Sequence, residues 1–307
     1  MAGNKRIKTT KNRTKLVQLV RLKEGDAKSF DGTRIHYRAV GQGVPIVCCN
    51  GLGVPTFFWK YFENFFKNSH QVVLWDYRGH GDSAPPKKIS NATVDALVAD
   101  LKATLDALQT KKAILIGYSL GVQVILEFYR SYPKRVLAII PCLGTYGHPM
   151  DTFYNSPFSK YLYEIITLIG ARFPKQGNWM SRFLLKNPFW YQLGGLLKMI
   201  DTGMASKEDA KAYIDHILSL EPSFFTNLLK SAQGHSTETI LKKIKVPTLI
   251  IGGEYDQFTP VWIAKKMHRT IPNSDIFIVK KGTHASLLEQ PELINLRIEK
   301  FLRDRVL

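Results

Sequence analysis

Cysteine is scarce in this chain, with three in 307 residues, and two of them, Cys48 and Cys49, are adjacent inside an apolar run. That number and spacing exclude a disulfide framework and a cysteine metal cage, and point to a reducing, cytoplasmic setting. Acidic side chains are the next shortage: 25 Asp and Glu against 43 Lys and Arg leave a formal charge of +18. No acid precedes Glu24, whereas Lys5, Arg6, Lys8, Lys11, Arg13, Lys15, Arg21 and Lys23 crowd the same stretch. Such a segment is a solvated tail attracted to anionic surfaces, so peripheral contact with an anionic membrane is the partner it favours. Nucleic acid is not expected, because the tail lacks interleaved aromatics and any recognisable nucleic-acid module. Uncharged runs of membrane-spanning length are also missing, the nearest being interrupted by Glu164 and Lys198. No apolar stretch follows the basic start and glycine stands third, so neither a secretory signal nor myristoylation is expected. Gly41-x-Gly43 and Gly51-x-Gly53 lack the third glycine of a dinucleotide fingerprint. No cofactor or metal is therefore expected, and no oligomeric state is read from the chain.

What is present is a core-forming composition, 45% hydrophobic, in a chain long enough for one large α/β domain with an insertion. Lys28-Ser-Phe and Thr33 to Arg38 read as two strands around the hairpin dipeptide Asp31-Gly32. Pro45 to Cys49, Gln71 to Trp75, Ile114 to Ile116, Val136 to Ile140, Pro247 to Ile251 and Asp275 to Val279 are continuous apolar runs. Runs of this kind, alternating with helical patterns, predict a mostly parallel sheet covered by helices on both faces. Between Gln71–Trp75 and Ile114, Val94, Leu97, Val98, Leu101, Leu105 and Leu108 recur at helical spacing. Asn91 is the expected cap of that helix, with Asp95 and Asp100 on its wet side. From 146 to 235 the strand pattern stops, and Phe153, Tyr154, Phe158, Tyr161, Tyr163, Phe173, Trp179, Phe183, Phe189, Trp190 and Tyr191 accumulate. This reads as a helical lid whose aromatics form mostly its own core and whose inner side lines an apolar cleft. Its outer face, with Lys160, Lys175, Arg182, Lys186 and Lys198, suits a membrane surface. The expected organisation is a basic tail at 1–25, a core at 26–145 and 236–307, and a lid at 146–235.

The chemistry is carried by Gly117-Tyr118-Ser119-Leu120-Gly121, which joins a strand to a helix. Such a turn holds the serine hydroxyl clear of the strand end, and the strand and helix on either side make the pattern specific. Two later loops, Gly253-Glu254-Tyr255-Asp256 and Gly282-Thr283-His284, also follow apolar strands. In a parallel sheet all three loops share one edge, so Ser119, Asp256 and His284 are expected to converge. A serine hydroxyl is a weak nucleophile at neutral pH, so His284 would take its proton and Asp256 would orient the imidazole. Glu254 is the rival acid. Charge on the tetrahedral oxygen needs two backbone donors, for which Leu120 N–H and, from the Asn50–Gly53 loop, Leu52 N–H are the candidates. His80 and Asp82 are expected to stabilise a turn, and Asp76 to pair with Arg78 or with that turn.

With these residues together, the chain resembles the α/β-hydrolase superfamily, in its lid-bearing group of serine esterases and lipases. The resemblance rests on the Gly51 loop, Asp76-Tyr-Arg-Gly-His-Gly-Asp-Ser83, the elbow at Ser119, Asp256 before Pro260, and His284 before a closing helix, and it covers residues 28–145 and 236–305. It implies the α/β-hydrolase fold, a Ser119–His284–Asp256 triad, and hydrolysis of a small apolar ester. Many relatives carry His-Gly where this chain has Asn50-Gly51, which puts the support of the oxyanion loop in question. Relatives that open epoxides or carbon–halogen bonds usually carry aspartate at the elbow, which this chain lacks. Thioester, lactone or carbon–carbon bond hydrolysis, acyl transfer, and non-catalytic ligand binding stay open as alternatives, since a shared fold does not choose among them.

Overall fold

A computed structural model describes residues 21–156 and 200–307, the helix 189–196, and positions 158, 159, 161, 164, 165, 168 and 172. The basic residues of 1–20 lie outside these, as do Tyr163, Phe173, Trp179, Phe183 and the lid's Lys160, Lys175, Arg182, Lys186 and Lys198.

The apolar runs form strands β3 (Pro45–Cys49), β4 (Gln71–Trp75), β5 (Ala113–Tyr118), β6 (Val136–Cys142), β7 (Thr248–Gly253) and β8 (Ser274–Val279), preceded by β1 (Leu22–Lys28) and β2 (Arg34–Val40). They make one sheet in the order β1-β2-β4-β3-β5-β6-β7-β8. Pairing is parallel from β4 to β8, and β2 alone runs against its neighbours. β1 begins at Leu22, inside the segment expected as tail, so the chain is already sheet-bound at the last tail lysine, Lys23.

Alternate residues of each inner strand face opposite cores. Val47, Cys49, Leu115 and Ile250 meet helices α2 (Val94–Ala107) and α3 (Leu120–Ser131) on one side. Ile46, Cys48, Ile116 and Ile251 meet, on the other, α1 (Lys60–Phe66) through Phe62 and Phe66, and the C-terminal helix Pro291–Arg305 through Ile298 and Phe301. Burial on both faces is what permits unbroken apolar strands, each such side chain adding about 1.5 to 3 kcal/mol.

Two local expectations for α2 are corrected. Its N-cap is Thr93, whose side chain accepts a hydrogen bond from Ala96 N–H at 3.1 Å, whereas Asn91 Nδ2 donates to Asp31 Oδ2 at 2.7 Å. Asp100 is fully buried rather than wet, and both its oxygens accept from Arg78, Oδ2 from Nε at 2.7 Å and Oδ1 from Nη2 at 2.6 Å.

Between β6 and β7 the chain leaves the sheet as a helical insertion containing α4 (Phe189–Leu196), α5 (Lys207–Ser219) and α6 (Pro222–Gly234). Its two stems lie side by side: Gly147 bridges Ser236, Thr237 N–H donates to Tyr146 O at 2.8 Å, and His148 N–H to His235 O at 3.3 Å. Among the described residues no helix is long and apolar enough to cross a membrane.

Candidate active site

Ser119 occupies φ 53°, ψ −115°, a conformation that costs a side-chain-bearing residue energy and has to be imposed by its surroundings. Space imposes it. A Cβ at Gly117 would lie 2.3 Å from Gly121 O, and one at Gly121 would lie 2.2 Å from Cys49 O, so strand and helix approach as closely as they do only because both positions are glycine. Ser119 N–H donates to Cys142 O at 3.1 Å, fastening the turn to β6.

The two later loops deliver their residues to the same edge. His284 Nε2 lies 3.0 Å from Ser119 Oγ, and His284 Nδ1 lies 2.9 Å from Asp256 Oδ2. Asp256 is buried, yet every lone pair has a use: Oδ1 accepts from Phe258 N–H at 2.8 Å and Thr259 N–H at 2.9 Å, and Oδ2 also accepts from Thr259 Oγ1 at 2.8 Å. These bonds hold the carboxylate in place and leave only the imidazole edge open. Glu254, the rival acid, turns away and accepts from Lys281 N–H at 2.8 Å.

The imidazole is held by two rings the sequence reading did not single out. Phe258 stacks on it at 4.7 Å and 24°, and Tyr118 lies 5.3 Å away on another side, its hydroxyl donating to His284 O at 2.9 Å. The signal for Phe258 was its place two residues after Asp256, in a turn folded around the carboxylate.

The loop after β3 is anchored despite having Asn50. Asn50 Nδ2 donates to Trp75 O at 3.0 Å, Asn50 Oδ1 accepts from Trp59 Nε1 at 2.7 Å, and Asn50 O accepts from Tyr77 Oη at 2.7 Å. Asparagine thus supports the loop through a buried network in which both ends of its amide are satisfied. Leu52, on this loop, and Leu120, the first residue of α3, flank Ser119 in the cavity wall. A first-turn helical N–H such as that of Leu120 has no intrahelical acceptor.

The segment Asp76–Ser83 braces the same edge. Asp76 Oδ2 accepts from Asp82 N–H at 3.0 Å, so its partner is the turn, and the alternative of Arg78 is set aside because that guanidinium is committed to Asp100 and Asp31. Burial raises the Asp76 carboxyl above its ordinary range. His80 Nδ1 lies 3.2 Å from Arg78 O, and burial lowers this imidazole to about 4, which keeps it neutral in its turn.

Above the triad is a cavity of about 620 Å³. The insertion covers it with Met150, Phe153, Ile200, Tyr213, Ile214 and Phe225, while Val54, Phe58 and Leu288 line it from the sheet side. Of the aromatics noted in the lid sequence, Phe153 lines the cavity, whereas Phe158 and Tyr161 are 73% and 61% exposed. Tyr213 and Phe225 were not anticipated, because α5 and α6 carry too few aromatics to attract notice.

Away from the cavity, Asp95, Glu127 and His235 each bring one potential metal-ligand atom within 4.8 Å of the others. Glu127 is already engaged there by Arg130 Nη2 at 2.7 Å and by His235 Nε2 at 3.0 Å, a structural ion-pair set.

Comparison with known proteins agrees with this fold. The chain is 28% identical over 294 residues to epoxide hydrolase 4 of Mus musculus, covering 89% of this chain and 77% of that one. It is 25% identical over 268 residues to a putative 2-succinyl-6-hydroxy-2,4-cyclohexadiene-1-carboxylate synthase of Bacillus subtilis (strain 168), covering 84% and 89%. Among solved structures, a thermophilic esterase from Thermogutta terrifontis superposes with a TM-score of 0.73 at 21% identity, over 93% of this chain and all of that one. The family model described as alpha/beta hydrolase fold matches residues 44–291, and with that span taking in the anchored loop, the elbow and both later loops, the chain belongs to the α/β-hydrolase fold family.

Proposed function

We propose that this protein hydrolyses carboxylic esters or lactones with an apolar acyl or alkyl part, through an acyl-enzyme on Ser119. The observation that carries the reading is the continuous chain Ser119 Oγ, His284, Asp256, closed at 3.0 and 2.9 Å beneath a largely apolar cavity. His284 Nε2 takes the Ser119 proton as Oγ attacks the carbonyl carbon, and Asp256 stabilises the resulting imidazolium. Leu120 N–H and Leu52 N–H receive the negative charge on the carbonyl oxygen. Collapse of the tetrahedral species expels the alcohol, which leaves with the proton from His284. Water, deprotonated by the same histidine, then cleaves the acyl-serine and returns Ser119 to its starting state. Serine also argues against epoxide opening, since attack by Oγ on an epoxide carbon would leave an ether that water cannot hydrolyse under these conditions.

A fluorophosphonate probe tests the nucleophile directly. Wild-type protein should be labelled at one site and Ser119→Ala not at all; absence of labelling, or equal labelling of both, would overturn the assignment. With p-nitrophenyl esters, a rate that fell steadily as the acyl chain lengthened would count against the apolar-substrate part.

A second reading concerns where the enzyme works. Phe158, Tyr161, Ile165 and Leu168 are 54–73% exposed and separated by three or four residues, the spacing that one face of a helix would have. The sequence 152–200 around them has six basic residues (Lys160, Arg172, Lys175, Arg182, Lys186, Lys198) and one acid, Glu164. An apolar face within a basic segment suits an anionic lipid surface, with the tail as a second electrostatic contact. Sedimentation with phosphatidylserine vesicles should show binding that falls as salt rises, and falls again when the chain starts at Arg21 or carries Phe158→Ser with Leu168→Ser. Unchanged binding in both variants would reject the attachment. The three free, buried cysteines support a reducing compartment for the enzyme.

A further inference from the structure

Almost every polar side chain in the cavity wall outside the triad is already committed. Thr145 Oγ1 donates to Gly147 O at 2.8 Å, Asp209 Oδ1 accepts from Lys60 Nζ at 2.5 Å, and Thr259 Oγ1 donates to Asp256. Gln123 Nε2 donates to Ala232 O at 3.0 Å, and its Oε1 is sealed from the cavity. Tyr118 Oη donates to His284 O. Tyr213 is different. It projects from α5 into the wall with its ring 5.5 Å from that of Phe58, and among the described residues no group accepts from or donates to its hydroxyl. Tyr213 is one of the residues that line the cavity.

An uncommitted donor inside an apolar pocket is a selective device. A substrate oxygen that meets it regains the hydrogen bond lost on leaving water, and an analogue without that oxygen leaves the hydroxyl dry and unpaired. Burial raises the Tyr213 phenol to about 12, so it stays a donor through neutral and mildly alkaline pH. Its place relative to the chemistry follows from the ring contacts: Phe58 lies between Tyr213 and Tyr118, and Tyr118 lies against His284. The reacting carbonyl sits at Ser119, so the oxygen that Tyr213 meets is a second one, on the part of the substrate that does not react.

We infer that Tyr213 is a specificity residue, and that the substrate class is an ester or lactone bearing a second acceptor oxygen, an oxo or alkoxy group, on its otherwise apolar part. This rests on the serine-hydrolase reading for turnover, but the recognition itself is measurable without turnover. The probes are two amide analogues of equal chain length, one plain alkyl and one with a single ether oxygen in the chain, bound to Ser119→Ala protein and followed by calorimetry. Ser119→Ala should prefer the ether analogue, and Ser119→Ala with Tyr213→Phe should lose that preference, by about tenfold in the ratio of the two affinities, through weaker binding of the ether analogue, tighter binding of the plain one, or both. Equal weakening of both analogues, no change in either, or no preference to begin with would overturn the inference. Matched p-nitrophenyl esters then give the catalytic counterpart with Tyr213→Phe alone: the ratio of kcat/KM for the oxygen-bearing ester over that for the plain ester should fall by about tenfold. Failure of the fluorophosphonate test would remove the hydrolase reading and leave the calorimetric result intact.

Discussion

Asp256→Asn is expected to lower kcat by about four orders of magnitude with little change in fold stability or in KM. The hydrogen bonds dictate this. Oδ1 accepts from two backbone N–H groups, those of Phe258 and Thr259, so an asparagine must keep its carbonyl oxygen there. Its NH2 group then replaces Oδ2, facing His284 Nδ1 and Thr259 Oγ1. A donor in that place forces Nδ1 to accept, which puts the imidazole proton on Nε2, pointing at Ser119 Oγ. The histidine can no longer take the serine proton. Steady-state rates on one activated ester, with thermal melting as the control for folding, check the prediction; a loss of less than about tenfold would show that Asp256 does not set the tautomer.

Arg78→Met is expected to destabilise the protein by about 3 to 5 kcal/mol, the usual cost of removing one partner from a buried ion pair. Arg78 has no solvent exposure, and beyond its two bonds to Asp100 it donates from Nη1 to Asp31 Oδ2 at 2.9 Å and Asn91 O at 3.1 Å, and from Nη2 to Ser29 Oγ at 3.2 Å. One side chain thus joins the β1–β2 turn, the strand-end segment after β4 and helix α2. Burial holds the Asp100 carboxyl above its ordinary range even with Arg78 attached, so that carboxyl becomes a poorly solvated group with no cation beside it and only the Ser29 hydroxyl as partner once the guanidinium is gone. Adding Asp100→Leu should recover part of the loss, because an apolar pair has no charge to desolvate. Urea denaturation of the single and double variants measures both effects, and a double variant no better than the single would argue that Arg78 acts through Asp31 instead.

These two sites also mark what could be read before the structure. The strands Pro45–Cys49 and Gln71–Trp75 were legible to the residue, because burial on both faces leaves continuous apolar runs with sharp polar ends. The convergence of Ser119, Asp256 and His284 was legible for the same reason: each follows such a strand, and parallel strands end on one edge. Asp100 was misplaced although a trace of its burial was present. At about 100° per residue it lies roughly 60° from Leu97, on the border of the apolar face, while Asp95 lies roughly 160° away. Polarity outweighed that angle, since nothing local announces that Arg78 will cover it. Asn91 and Thr93 are both capping residues by type, and only the distant Asp31 decided between them by engaging Asn91. Tyr213 was illegible altogether. Its helix, Lys207–Ser219, reads as an ordinary amphipathic one, and what singles out the hydroxyl is that it has no hydrogen-bond partner among the described residues.

The stems of the insertion meet at Gly147 and Ser236, so the length of chain between them is not set by the distance it must span. A loop whose ends are already side by side adds little entropic cost as it grows, only about 0.6 kcal/mol for each doubling of length. The parallel strands β6 and β7 are paired although residues 143–247 separate them in the chain. The triad is held at the sheet edge while the insertion walls much of the cavity above it, so changes of length or sequence in the insertion reach the pocket more readily than the triad.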